Sequence, residues 1–120
     1  MSIGGTDAYD RIDGLPSLVC AALDRARAAG FGESCRPEQG RLLQVLAAGR
    51  PGGVIGETGT GCGVGLAWLA SGAAPGTRLV SVERDADRAR AAADVFRDHD
   101  DVTVLHDGWH ALLDLSLIHI

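Results

Sequence analysis

The sequence predicts an α/β domain built on a parallel sheet in the order 3-2-1 with flanking helices. Two observations carry this. From residue 54 onward, short apolar runs alternate with helical segments as β-α-β-α-β, the pattern of strands joined by helical crossovers. Right-handed crossovers then lay successive strands side by side. The chain has 120 residues, enough for one domain.

Each element has a local reason. Residues 1–14 are polar and Gly-rich and are expected to form a flexible arm, leaving 15–120 as a single domain. Leu18, Val19, Ala22, Leu23 and Ala26 recur at helical spacing with Gly30 as a stop, which predicts a helix over 16–29. A second helix starts at Pro37, whose missing N–H costs nothing in a first turn. Leu42, Leu43, Val45 and Leu46 form its expected apolar stripe, and Gly49 and the Pro51-Gly52-Gly53 run end it. "GVIGE" is a short, β-branched candidate strand. Residues 63–73 read as a helix closed by Gly72 and Pro75-Gly76, and 77–83 as a second strand. A helix is expected over 85–99, with Asp85 as N-cap and Ala89, Ala92, Ala93 and Phe96 facing inward. Residues 101–106 alternate as a third strand.

Composition narrows the function. The chain is 46% hydrophobic and 22% charged, as a globular protein is. Aromatic residues make up only 4%, so Leu, Val, Ile and Ala must build the core. A net charge of −5 and no basic stripe exclude tracking of a nucleic-acid backbone. Every basic residue other than histidine is Arg. Cys20, Cys35 and Cys62 show neither a C-x-x-C pair nor metal-ligand spacing, which points to reduced thiols in a cytoplasmic protein. The N-terminus lacks a signal-peptide pattern. No apolar stretch approaches the roughly 18 residues that span a bilayer, so no membrane partner is expected.

The decisive stretch is "VIGETGTGCGVG", with five glycines between Gly56 and Gly65. A strand that runs through a glycine turn into a helix presents free backbone N–H groups at a positive dipole end, and three ligand classes use it. A nucleoside triphosphate needs G-x-x-x-x-G-K-[ST]. Counting from Gly56 places Cys62 where the Lys must stand, and lysine is absent from the chain. A dinucleotide needs G-x-G-x-x-G or a terminal Ala. The three registers end instead on Val64, Leu66 and Trp68, although Glu83 after the second strand suits a ribose. The third class is a cationic nucleoside. Glu57, Gly59, Gly61 and Gly63 read E-x-G-x-G-x-G. A carboxylate in that turn repels a pyrophosphate and suits a ligand with an ammonium and a sulfonium, while the glycines permit close backbone approach.

This loop resembles the first motif of the class I S-adenosylmethionine-dependent methyltransferases. "CRPEQGRLLQVLA" and "GVGLAWLA" are similar to the small-molecule O-methyltransferase branch, the catechol and caffeoyl-CoA O-methyltransferase-like enzymes. The resemblance covers roughly residues 15–113. It implies a Rossmann-like methyltransferase fold and S-adenosylmethionine as cofactor. It assigns Glu57 to the methionine end of the ligand, Gly59, Gly61 and Gly63 to its close approach, Glu83 to the ribose hydroxyls, and Asp107 to the adenine amino group, with Trp109 against the adenine and Thr58 among the cofactor-binding residues. The implied partner is a small-molecule hydroxyl acceptor, and a homo-oligomer stays open. Plainer roles also exist. Glu57 and Glu83 could be ordinary strand-end carboxylates, Asp107 could cap a following helix, Trp109 could pack on the surface, and Cys62 could merely fill space in the turn.

The resembled fold has about seven strands, and this chain supplies three. Only about seven residues separate Asp107 from Asp114, too few for a parallel crossover, so 108–115 is expected to begin a crossover helix rather than lead to a fourth strand. The tail "LSLIHI" differs in composition from the Ala/Arg/Asp-rich sequence before it, and the chain is expected to be the N-terminal, cofactor-binding fragment of a longer enzyme, inactive by itself. The family's divalent-metal ligands and catalytic base lie from the fourth strand onward. No metal ligand and no catalytic residue are therefore assigned here. The remaining alternatives are an NAD(P)-dependent oxidoreductase of Rossmann type and a non-catalytic nucleoside-binding module.

Overall fold

A computed structural model describes residues 2–113. After a short 3-10 turn at Asp7–Tyr9, the elements run α1 (Ser17–Ala28), α2 (Pro37–Ala48), β1 (Val54–Thr58), α3 (Val64–Gly72), β2 (Arg78–Glu83), α4 (Ala86–Val95) and β3 (Val102–His106). The three strands form one parallel sheet with β2 in the centre. Every helix and strand expected between residues 16 and 106 is present, and Asp85 caps α4 by accepting from the Arg88 N–H at 2.9 Å. The helix expected over 85–99 is shorter, ending at Val95.

Register brings the chemistry to one edge. Glu57 stands opposite Ser81 across β1 and β2, and Glu83 opposite His106 across β2 and β3. The Asp107 N–H donates to the Glu83 carbonyl at 3.0 Å, which extends that ladder one step. Parallel strands all end on the same side, so Glu57, Glu83 and Asp107 lie along the carboxyl edge, where open α/β sheets hold ligands.

The core is centred on Trp68 of α3, which is fully buried with Leu66, Leu23 and Val19 around it. Trp68 also explains why α2 faces the way it does. A Cβ on Gly40 would collide with the indole ring, and one on Gly72 would collide with the Gln44 carbonyl. The helices meet through small residues, so Gly40 and Ala47 are buried while Leu42, Val45 and Leu46 are exposed. Of the expected apolar stripe only Leu43 packs against the core. Ala93, expected to face inward on α4, is also exposed, and Ala89, Ala92 and Phe96 supply the buried face.

The opening segment, expected to be a loose arm, is anchored. Tyr9 is 2% exposed. Its hydroxyl donates to the Cys35 carbonyl at 2.7 Å and accepts from the Trp68 indole N–H at 3.0 Å. Thr6 is buried too and donates to the Phe31 carbonyl. An aromatic ring with a satisfied hydroxyl is a strong anchor, but a lone Tyr among polar residues has no period to betray it. At the other end, residues 110–113 form a helical turn, and Leu112 lies against β1 at Gly56. The expected course of 114–120 lies outside the described residues.

The Gly40–Trp68 contact sets a test of the packing. Gly40→Ala is expected to cost about 1–3 kcal/mol, the usual range for overpacking, read from urea unfolding. Gly32→Ala, where an added Cβ meets nothing within 4 Å, should leave the midpoint nearly unchanged.

Candidate functional site

The glycine turn is built from left-handed backbone. Gly59, Gly61 and Gly63 have φ of 74°, 57° and 100°, a region that costs an L side chain roughly 1–2 kcal/mol per residue. This is the physical reason for glycine at every second position. Gly63 then serves as the N-cap of α3, where an added Cβ would lie a tight 3.3 Å from the Phe96 ring.

The turn is fastened to β2. The N–H groups of Gly59 and Thr60 both donate to the Val82 carbonyl, at 2.9 and 3.2 Å. The Gly61 N–H donates to Glu83 Oε1 at 2.8 Å, and the Asp85 N–H to Glu83 Oε2 at 2.9 Å. Glu83 is 5% exposed, and it holds the shape of both loops at the edge. An anion-binding turn keeps its amides open for a phosphate. Here Gly61 donates to the protein's own carboxylate, and a second carboxylate stands close by. The Gly61 amide is therefore already occupied, and the carboxylates beside the turn disfavour a phosphate there.

That second carboxylate is Glu57, which is half-buried. Ser81 Oγ donates to its Oε1 at 2.6 Å, and Thr60 Oγ1 lies 2.6 Å from Ser81 Oγ. Burial pushes the Glu57 carboxyl up to about 7, with the charge of Glu83 adding to the rise and the Ser81 hydrogen bond opposing it. Its Oε2 lies over Gly65, so close that a Cβ there would come within 2.8 Å.

Two cavities flank the turn. The larger, about 590 Å³, is lined by Thr58, Gly59 and Trp109, by the acids Glu83, Asp85 and Asp107, and by Arg84 and Arg88. The smaller, about 160 Å³, is lined by Glu57, Thr58, Gly59, Cys35, Cys62 and Gly65. Thr58 and Gly59 line both. Asp107 is exposed. Its Oδ1 accepts from the Gly108 N–H at 2.7 Å and lies 3.8 Å from His110 Nε2. Trp109 is 63% exposed and open to the larger cavity. Thr58, Gly59, Glu83, Asp107 and Trp109 thus meet at one cavity, and Glu57 with Thr58, Gly59 and Gly61 at the other. Gly63 lies outside both linings and acts through the backbone of the turn.

The arrangement can hold an elongated ligand with a nucleoside at one end and a cationic amine at the other. Carboxylates only accept hydrogen bonds when ionised, which suits ribose hydroxyls, an exocyclic amine and an ammonium. Among the described residues, no group of three or more His, Cys, Asp or Glu side chains could hold a metal ion. Burial pushes the Cys62 and Cys35 thiols up rather than down, so neither is an activated nucleophile. Sequence reasoning missed Ser81 and Thr60. The available signal was a single hydroxyl inside the otherwise apolar run "LVSV".

Comparison with known proteins agrees with this geometry. No family model matches the chain. A protein of Mycolicibacterium smegmatis described as "Putative O-methyltransferase" is 35% identical over 82 residues, covering 68% of this chain and 39% of its own length. The crystal structure of an O-methyltransferase from Bacillus cereus in complex with SAH superposes with a TM-score of 0.70 at 26% identity, over 95% of this chain and 53% of that one. The O-methyltransferase TomG from Streptomyces achromogenes, solved with SAM, gives a TM-score of 0.68 at 24% identity over 92% and 50% of the two chains, a likeness of fold. The chain thus spans about half the length of these solved relatives. The three-stranded parallel sheet, the acids along its carboxyl edge and the left-handed glycine turn fit part of the class I S-adenosylmethionine-dependent methyltransferase fold. The chain shares that fold, and the curated relatives that it matches over 68% of its length are described as O-methyltransferases.

Two outcomes are expected. Gly63→Ala should lower stability by about 1–2 kcal/mol in denaturant unfolding, from the backbone alone. Glu57, with its folded value raised above the ordinary 4.5 to about 7, binds its proton more tightly folded than unfolded. It therefore contributes stability below about pH 4.5 that is lost as pH rises through about 7. Glu57→Gln should remove this slope, so that its melting temperature gains on wild type between pH 5 and pH 8.

Proposed function

We propose that this chain is the S-adenosylmethionine-binding part of an O-methyltransferase that acts on a small-molecule hydroxyl in the cytoplasm. The observation that carries the reading is the pair of neighbouring cavities that share Thr58 and Gly59 as a wall, with Glu57 in one and Glu83 and Asp107 at the other. The relatives support it, since the Bacillus cereus enzyme is described in complex with SAH.

In this reading Glu57 accepts from the ammonium of the methionine end, with Thr58 beside it. Gly59, Gly61 and Gly63 let the backbone approach without side-chain clash. Glu83 accepts from the ribose hydroxyls while still holding its two backbone donors, because each carboxylate oxygen has two lone pairs. Asp107 accepts from the adenine amino group, and Trp109 covers the adenine face. When bound, S-adenosylmethionine supplies an electrophilic methyl: a deprotonated acceptor oxygen forms the new C–O bond, the C–S bond breaks with its electron pair going to sulfur, and S-adenosylhomocysteine leaves. The contribution of these residues is to orient the ligand, and much of a transfer barrier can be met by orientation. Nothing in the geometry favours a nicotinamide dinucleotide, for Val64, Leu66 and Trp68 occupy the positions where that motif needs a small residue.

Calorimetry with S-adenosylhomocysteine tests the reading. Binding is expected, with Asp107→Ala weakening it about tenfold, as for loss of one hydrogen bond to a charged group, and Glu83→Ala weakening it more. Preference for NAD, or binding indifferent to both substitutions, would overturn it.

A further inference from the structure

Ser81 sits at the centre of β2, fully buried, in a strand whose neighbouring positions are Val80 and Val82. A hydroxyl there needs partners, and it has two. It donates to Glu57 Oε1 at 2.6 Å and lies 2.6 Å from Thr60 Oγ1. A serine hydroxyl has one proton. When Glu57 is ionised, Ser81 gives it that proton, Thr60 must then be the donor to Ser81, and donation runs Thr60 to Ser81 to Glu57. The file of three runs from the glycine turn through β2 back to β1. Its last member is a carboxylate that lines the small cavity.

We propose that Ser81, backed by Thr60, is a positioning residue that holds Glu57 ionised and oriented for a cationic amine in the small cavity. The inference rests on the ligand reading above and deepens it. A carboxylate that receives a hydrogen bond on Oε1 keeps Oε2 free and aimed over Gly65, where the chain has left the side chain out. The glycine there is part of the device: an added Cβ would come within 2.8 Å of Oε2.

The groups facing Glu57 explain why such a donor is needed. Glu83 from β2 opposes ionisation of Glu57, and so does the burial of Glu57 itself. Cys35, from the segment after α1, and Cys62, from the glycine turn, line the same cavity, and burial pushes both thiols up. Neither contributes a positive charge, and the charge of the chain's amino group favours ionisation less than the Ser81 hydrogen bond does. Ser81 is the side-chain donor that favours the ionised carboxylate. Ligand capture through an ammonium then releases a proton from Glu57 near neutral pH, and the pH at which capture sets in depends on Ser81.

The test is calorimetric binding of S-adenosylhomocysteine to the full chain between pH 5.5 and 8.5, with carbon NMR of the Glu57 carboxyl as a readout independent of ligand. Ser81→Ala should move both midpoints up by about one unit and weaken binding about tenfold at pH 6.5, with a smaller loss at pH 8.5. Ser81→Thr, which keeps the hydroxyl, should restore the wild-type midpoint. Thr60→Val, which leaves β2 intact, should shift it in the same direction by less, and it carries the test if Ser81→Ala does not fold. Binding that persists in Ser81→Ala and Thr60→Val with the wild-type pH profile would overturn the inference and leave the ligand reading standing. No binding by the wild-type chain at any pH would overturn both.

Discussion

The clasp between the glycine turn and β2 is the constraint on which the site depends. Left-handed backbone at Gly59, Gly61 and Gly63 lets the chain reverse sharply enough for two amides to reach the Val82 carbonyl and a third to reach Glu83. That clasp fixes three things together. It sets the start of α3 at Gly63, holds the Glu83 carboxylate at the floor of the larger cavity, and brings Thr60 onto Ser81. Glu57 is in turn held by Ser81. A turn of ordinary L residues would pay backbone strain at all three positions, and the two cavities would not share a wall.

Charge then decides what such a turn can accept. The same backbone shape serves phosphates when its amides point into an empty, positive space. In this chain a carboxylate takes the Gly61 amide, another lies in the small cavity, and a third stands at the end of β3. At the turn and in the small cavity the electrostatic sign is inverted relative to a phosphate cradle, while Arg84 and Arg88 stand with the acids around the larger one. Glu57, and not the number of glycines, carries the distinction. Under the proposed ligand reading, a cation and a proton would compete for this carboxylate, whose ionisation burial has raised toward neutral pH.

Much of this was legible in the sequence. Strands and crossover helices announce themselves through period and punctuation, and the acids at three strand ends follow from the strands. What escaped was set by tertiary contact. The α2 helix displays Leu42, Val45 and Leu46 at helical spacing, yet it packs through Gly40 and Ala47 because the Trp68 ring leaves room for nothing larger. Tyr9 sits in a polar, Gly-rich stretch that reads as loose, but its ring and hydroxyl complete the surroundings of Trp68 and Cys35. Ser81 and Thr60 were invisible for a different reason: a single small hydroxyl has no period, and its meaning comes only from the carboxylate opposite.

The central claim is that the two cavities are halves of one ligand site, divided at Thr58 and Gly59. An amide NMR titration with the separated halves, methionine and adenosine, tests it most directly. Methionine should shift the resonances of Cys35, Glu57 and Gly65, adenosine those of Glu83, Asp85, Asp107 and Trp109, and both should shift Thr58 and Gly59. Adenosine acting on the Glu57 side, or the two fragments acting on surfaces that share no residue, would contradict the account.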